Sequence, residues 1–181
     1  MKKTMIAMLC GAIVSCAAFA TELSPEFANK VASLGYQLPI IQSPTTLKFA
    51  PYVIVGNQVT VSGQLPNASG ALIAGKLGEG GLTIEQGQKA ARECVLNILA
   101  HLNKICGGKI DHVKQIIKLE VFVASTAEFT EHPEIANAAS ELINSVFGEC
   151  GKHARIAVGM VSLPKGAAVE VAATVLLNNE H

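Results

Sequence analysis

The chain has no tryptophan and two tyrosines in 181 residues, and aromatic residues make up only 4% of it. That is too few flat rings for the stacking platforms on which single-stranded nucleic acid is held. Charge is also sparse. Asp, Glu, Lys and Arg total 15%, with 14 basic and 14 acidic side chains and a formal net charge of zero. A neutral chain has no electrostatic pull on a phosphate backbone or an anionic membrane. The apolar run from Met5 to Val14 is too short for a comfortable transmembrane helix. Metal signatures are missing as well. Histidines stand at 101, 112, 132, 153 and 181, none in H-E-x-x-H or H-x-x-H spacing, and no C-x-x-C or G-x-S-x-G occurs. No metal or organic cofactor is expected. Gly75-Lys-Leu-Gly-Glu-Gly-Gly81 lacks the Walker spacing, so its glycines read as a flexible turn rather than a phosphate loop.

What is present begins with a targeting segment over residues 1–20. Lys2-Lys3 supplies a positive start, Met5 to Val14 a short apolar run, and Ala18-Phe19-Ala20 a small-x-small cleavage site before Thr21. The alternative is a lipoprotein, because Ile13-Val14-Ser15-Cys16 is similar to a lipoprotein processing box with Cys16 lipidated. The first reading gives a periplasmic or secreted protein, the second an anchored one. Removing the segment takes two of the 14 basic residues and no acid, so the mature net charge is −2. Cys94, Cys106 and Cys150 remain, and three cysteines in an oxidising compartment suggest one pair and one buried thiol.

Residues 21–181 are long enough for one domain and short for two. Half of the chain is hydrophobic, enough to fill a core. Residues 21–50 read as an N-terminal helix and an irregular extension. Ser24-Pro25-Glu26 opens the helix, Phe27, Val31 and Leu34 follow at helical spacing, Gly35 closes it, and Pro39 and Pro44 keep the extension irregular. Tyr52–Val55 and Val59–Ser62 are strand-like runs joined through Gly56-Asn57, a hairpin signal, and Leu72-Ile73 is a candidate short strand. Thr83-Ile-Glu-Gln86 is a capping box. The helix after it carries Ala91, Cys94, Val95, Ile98 and Leu102 on one face and ends at Gly107-Gly108. Val113 to Ala124 is a strand in which Ile117, Leu119, Val121 and Val123 alternate with Lys118, Glu120 and Phe122. Pro133-Glu134 opens a second helix with an apolar stripe of Ile135, Ala139, Leu142, Val146 and Phe147, closed by Gly148 and Gly151. Two further strands end the chain. The order implies an α+β fold, with two helices on one face of a mainly antiparallel sheet.

Those last two strands flank Leu163-Pro-Lys-Gly166, and each carries a charge that its apolar pattern does not need, Arg155 and Glu170. Such charges are costly unless paired or used. Arg can grip a carboxylate with two parallel hydrogen bonds, which points to a small organic acid as ligand. The plain alternative makes both of them surface residues of edge strands.

Tyr52-Val, Val61-Ser-Gly-Gln-Leu-Pro66, Ala154-Arg155 through Leu163-Pro164-Lys165, and Val169-Glu170-Val171 together resemble the RidA/YjgF family, known under an older label as endoribonuclease L-PSP or translation inhibitor. The resemblance runs from about Pro51 to Leu177. Leu34-Gly-Tyr-Gln-Leu-Pro39 and Phe147-Gly-Glu-Cys-Gly-Lys-His-Ala-Arg155 look like one divergent, exported branch. The resemblance implies a chorismate-mutase-like fold, a homotrimer with ligand clefts between subunits, and hydrolysis of reactive 2-imino and enamine acids to 2-keto acids and ammonia. Carried over by motif, Arg155 holds the substrate carboxylate and Glu170 orients water or handles its proton. Tyr52, Ser62 and Gly63 line the cleft, with Asn137 on a helix near it. Two positions depart from the archetype, Ala157 where a Cys is common and Ala172 where a second Glu is common. The alternatives are a non-catalytic module that binds a small carboxylate metabolite and, against the charge balance, a ribonuclease.

Cys106 and Cys150 each follow the end of a long helix. The single strand between those helices makes them run parallel and end on the same side, so a Cys106–Cys150 disulfide is one expectation and three free thiols the other. Cys94, on an apolar helix face, is expected to be a buried thiol.

Overall fold

The computed structural model describes residues 23–41 and 48–178; the targeting segment, with both of its processing sites, lies outside the described residues. Where apolar residues recur every second position the chain forms strands, and where they recur every third or fourth it forms helices. The elements are α1 (Glu26–Ser33), β1 (Tyr52–Val55), β2 (Gln58–Gln64), α2 (Ile84–Ile105), β3 (Val113–Ala124), α3 (His132–Phe147), β4 (Ala154–Met160) and β5 (Val169–Leu177). The five strands form one sheet in the order β1-β2-β5-β3-β4.

The sheet is mixed. β1–β2, β2–β5 and β3–β5 pair antiparallel, but β3–β4 pair parallel. A parallel neighbour requires a crossover, and α3 supplies it between β3 and β4. In the same way α2 links β2 to β3, with the chain's last strand, β5, inserted between those two. Helices α2 and α3 therefore pack on one face of the sheet. On β5, Val169, Val171, Ala173, Val175 and Leu177 are buried under them, while Glu170, Ala172, Thr174 and Leu176 point to the other face. Ala91, Cys94, Val95, Ile98 and Leu102 of α2, all fully buried, face β5 and α3.

Local chemistry sets the element ends. The Thr83 capping box forms as expected: the Gln86 amide donates to the Thr83 hydroxyl at 3.3 Å, and the Thr83 amide donates to the Gln86 side chain at 2.9 Å. Helix α1 begins one residue later than expected, with Pro25 at its cap. It is tied to the α2–β3 corner by the Ser24 and Phe27 amides, which donate to the Gly107 and Gly108 carbonyls at 2.8 and 2.9 Å. A side chain at Gly108, whose φ is +82°, would collide with the Ser24 backbone. Phe27 then packs edge-on against Phe147, with ring centroids 5.7 Å apart.

Two expectations are corrected, and the choice left open at Cys106 and Cys150 falls to free thiols. Leu72-Ile73 is not a strand; the segment makes only a single bridge, Ala74 to Ala167. Ile117 is exposed and Ile116 buried in its place, because register shifts against β5 between Ile116 and Lys118 reverse the side-chain parity of β3. The Cys106–Cys150 bridge is not formed, and Cys94, Cys106 and Cys150 are free thiols. Cys106 is buried at the α2 C-cap, whereas Cys150 is exposed in the turn after α3. Burial pushes the Cys106 thiol up to about 12, with Asp111 adding to the shift, so it stays protonated at neutral pH.

Candidate active site

Arg155 lies on β4, an edge strand, opposite Leu119 of β3. Leu119 is fully buried under the helices, so Arg155 shares the helix face, at its open rim. Helix α3 passes beside it and presents Asn137 and Ser140, three residues apart and thus on one face. Arg155 Nη1 donates to Asn137 Oδ1 at 2.9 Å and to Ser140 Oγ at 3.1 Å. These two bonds commit Nη1 and leave the Nε–Nη2 edge of the guanidinium, with its fixed fork of donors, to meet a carboxylate.

The Ser140 hydroxyl also meets His153 Nε2 at 3.0 Å, and His153 Nδ1 lies 2.6 Å from the Gly151 carbonyl oxygen. A carbonyl only accepts, so Nδ1 carries the ring proton and Nε2 is the acceptor for the Ser140 hydroxyl. Asn137, Ser140, His153 and Arg155 form one connected polar cluster. Sequence reasoning named Arg155 and Asn137 and missed Ser140 and His153. The available signal was spacing: 137 and 140 at i, i+3 on a helix, 153 and 155 at i, i+2 entering a strand.

Glu170 is elsewhere. It pairs with Phe122 on β3, three residues along from Leu119, and an odd offset on a strand reverses the face. Two strand spacings and that offset put the Arg155 and Glu170 Cα atoms about 14 Å apart. One chain therefore does not bring the two together. Glu170 lies over Gly63 of β2, where a Cβ would collide with Glu170 Oε1. This close approach sits at the irregularity between Val61 and Gln64 in the β2–β5 pairing. Burial raises the Glu170 carboxyl from its ordinary value, making it a better proton acceptor than an exposed Glu.

Ser62 and Tyr52 are both engaged in the fold. Ser62 Oγ donates to the Ala50 carbonyl at 2.7 Å, and its amide donates to Pro51 O at 2.9 Å. Tyr52 pairs with the buried Val61 and packs edge-on against His101 of α2, 5.7 Å between centroids. A cleft of about 610 Å³ opens beside them, bounded by Pro51, Gly63, Leu65, Asn97, His101 and Lys165. The polar residues on this side of α2 were not expected. Glu93 accepts from the Ser69 amide and hydroxyl at 2.7 and 2.8 Å, and Asn97 donates to Leu65 O at 2.9 Å, which fixes the loop over the helix. Burial, with Lys104 adding to it, lowers the His101 pKa and keeps the ring neutral. Among the described residues, no group of three or more His, Cys, Asp or Glu is placed to hold a metal ion, and no helix is long and apolar enough to cross a membrane.

Both helices lie on one face of the sheet, as the sequence implies, whereas the flanking of β3 by the Arg155 and Glu170 strands is seen only in the structure. A family model described as "YjgF/chorismate mutase-like, putative endoribonuclease" matches residues 28–173. The chain belongs to the RidA/YjgF family. The chain is similar to Protein TCP17 of Trypanosoma cruzi, 48% identical over 158 residues that cover 86% of this chain and 97% of that protein. The crystal structure of Atu1372 from Agrobacterium tumefaciens, a protein of unknown function, is 40% identical with a TM-score of 0.77 over 84% of this chain and 94% of that one. A structure from Shewanella oneidensis, designated a putative endoribonuclease, is 32% identical with a TM-score of 0.76 over 83% of this chain and 99% of that one. The mixed five-stranded sheet with its helices is consistent with the chorismate-mutase-like fold of the family.

Proposed function

We propose that this RidA/YjgF protein is an exported 2-imino acid and enamine deaminase that releases 2-keto acids and ammonia. The observation that carries the reading is the Arg155 guanidinium, held from behind by Asn137 and Ser140 with one edge open. A carboxylate seated on that edge fixes the adjacent imine carbon for attack by water, and this positioning is most of what an already electrophilic imine needs. Glu170, with its raised pKa, accepts the proton of that water. The chain is a homotrimer in this reading, and the cleft lies between subunits, where Arg155 of one chain meets Glu170 of the next. Two features support it. Arg155 and Glu170 lie on opposite faces of one sheet, and the uncovered face carries exposed apolar residues that include Val53, Ile156 and Met160. Export rests on the Lys2-Lys3, Met5–Val14 and Ala18-Phe19-Ala20 pattern.

The test generates 2-iminobutanoate in place with an amino-acid oxidase and follows loss of the imine and release of ammonia. Acceleration over buffer is expected. Its absence, with 2-ketobutyrate still binding, replaces the enzyme by a carboxylate-binding module. Light scattering is expected to give three times the chain mass, and a monomer at micromolar concentration removes the shared cleft. RNA incubated with tag-free protein is expected to stay intact, since the chain carries no excess positive charge.

Gly63→Ala tests the Glu170 placement. The added methyl group displaces the Glu170 carboxylate. Turnover is expected to fall by up to about 10²-fold, as for a misplaced catalytic group, while 2-ketobutyrate binding at Arg155 changes little. Equal loss of both would place Glu170 in ligand binding rather than in proton transfer.

A further inference from the structure

Two serines of α3 spend their hydroxyls differently. Ser145 Oγ donates to the Glu141 carbonyl at 2.8 Å, the back-bond to residue i−4 that a mid-helix serine ordinarily makes. Ser140 is instead turned toward His153 Nε2 at 3.0 Å, with His153 Nδ1 anchored on the Gly151 carbonyl at 2.6 Å. Nucleophile, base and the group that orients the base stand in sequence, which is the arrangement that activates a serine hydroxyl. The Arg155 guanidinium, 3.1 Å from Ser140 Oγ, puts a positive charge where negative charge develops as that hydroxyl is used. Ser140 and His153 are only half-buried and Arg155 is exposed, so small molecules reach the group. A second pair, Ser125 Oγ and His132 Nε2 at 3.0 Å, has a buried serine, and His132 packs against Phe129 without a second hydrogen-bonding anchor among the described residues.

We propose that Ser140 is a nucleophile activated by His153, and that the Arg155 site hydrolyses small esters whose acyl part carries a free carboxylate. Ser140 Oγ attacks the ester carbonyl carbon, and its proton passes to His153 Nε2. The tetrahedral adduct breaks its bond to the alcohol oxygen, which takes the proton from Nε2 and leaves, so the acyl group stays on Oγ. Water then attacks the acyl carbon, gives a proton to Nε2, and releases the acid as Oγ recovers that proton. Ester and water become acid and alcohol. The substrate's own carboxylate is taken by the Nε–Nη2 edge of Arg155. The inference shares Arg155 with the imine reading but does not depend on imine chemistry.

The test treats the full mature protein with phenylmethylsulfonyl fluoride and maps the adduct by peptide mass spectrometry. One sulfonyl group on Ser140 is expected, with Ser145 unlabelled, and saturating 2-ketobutyrate is expected to slow the labelling at least tenfold. His153→Gln is expected to reduce labelling about 10²-fold, with Ser140→Ala as the blank. With 4-nitrophenyl hydrogen succinate, the wild type is expected to release nitrophenol faster than either variant by a similar factor. No adduct on Ser140 of the folded wild type, or labelling that is as fast in a folded His153→Gln variant, overturns the proposal. Imine turnover without the adduct leaves the deaminase reading standing and this one refuted; the adduct without imine turnover does the reverse.

Discussion

Glu170→Gln is expected to slow imine hydrolysis by about 10²-fold, the lower end for a group that moves a proton, while leaving 2-ketobutyrate affinity within about twofold. Gln keeps the size of the side chain over Gly63 and removes only the base. Arg155→Lys is expected to show the opposite split. Lysine keeps the charge but has no planar fork to span Asn137, Ser140 and a substrate carboxylate, so ligand affinity falls tenfold or more. Calorimetry with 2-ketobutyrate and the coupled imine assay separate the two. If Glu170→Gln turns over as fast as the wild type, Glu170 is not the base. The Gln variant carries a second signature, in stability. Burial raises the Glu170 pKa in the folded chain, so the folded state holds that proton more tightly than the unfolded state. The stabilising effect of protonation is complete below the unfolded pKa and is lost as pH rises through the folded value. Glu170→Gln therefore unfolds at a higher temperature than the wild type at neutral pH, and the gap closes as the solution is acidified below the ordinary carboxylate range.

Leu119→Ala is expected to be the most destabilising of the single changes considered. Leu119 is fully buried at the centre of β3, with β4 on one side and β5 on the other, and it pairs directly with Arg155. Emptying that space costs about 2–5 kcal/mol, the transfer term plus the cavity. Urea unfolding reads it as a lower midpoint with an unchanged slope. A loss below about 1 kcal/mol would mean that the site collapses freely and that β3 is not the rigid support on which Arg155 depends.

How far the sequence could be read depended on the range of the forces involved. Val113–Ala124 was legible to the residue, and so were the Thr83 box and the Gly56-Asn57 turn, because alternation, capping and turn chemistry act within a few positions. Arg155 and Glu170 stood out for a local reason too, as charges in apolar strands. Their placement on opposite faces did not, because it follows from β3 lying between β4 and β5, a pairing order set by contacts across the whole chain. The bulge that exchanges Ile116 for Ile117 in the core lies opposite β5 and leaves no mark in the local pattern. Glu93, Asn97 and His101 sit four residues apart like a solvated helical stripe, and only the loop folded over them makes them buried. Ser140 and His153 escaped because each looks ordinary alone; the tertiary fold makes them neighbours.

The order in which the strands are made differs sharply from the order in which they stand. β5, synthesised last, is the middle strand of the sheet, hydrogen-bonded to β2 on one side and β3 on the other. Until residues 169–177 have emerged, β2 and β3 have no common partner and the two halves of the sheet cannot join. A growing chain thus cannot join the two halves of this sheet until residues 169–177 are made, and folding waits on contacts of long sequence separation. Losing residues 169–177 would remove the seam of the sheet rather than trim an edge.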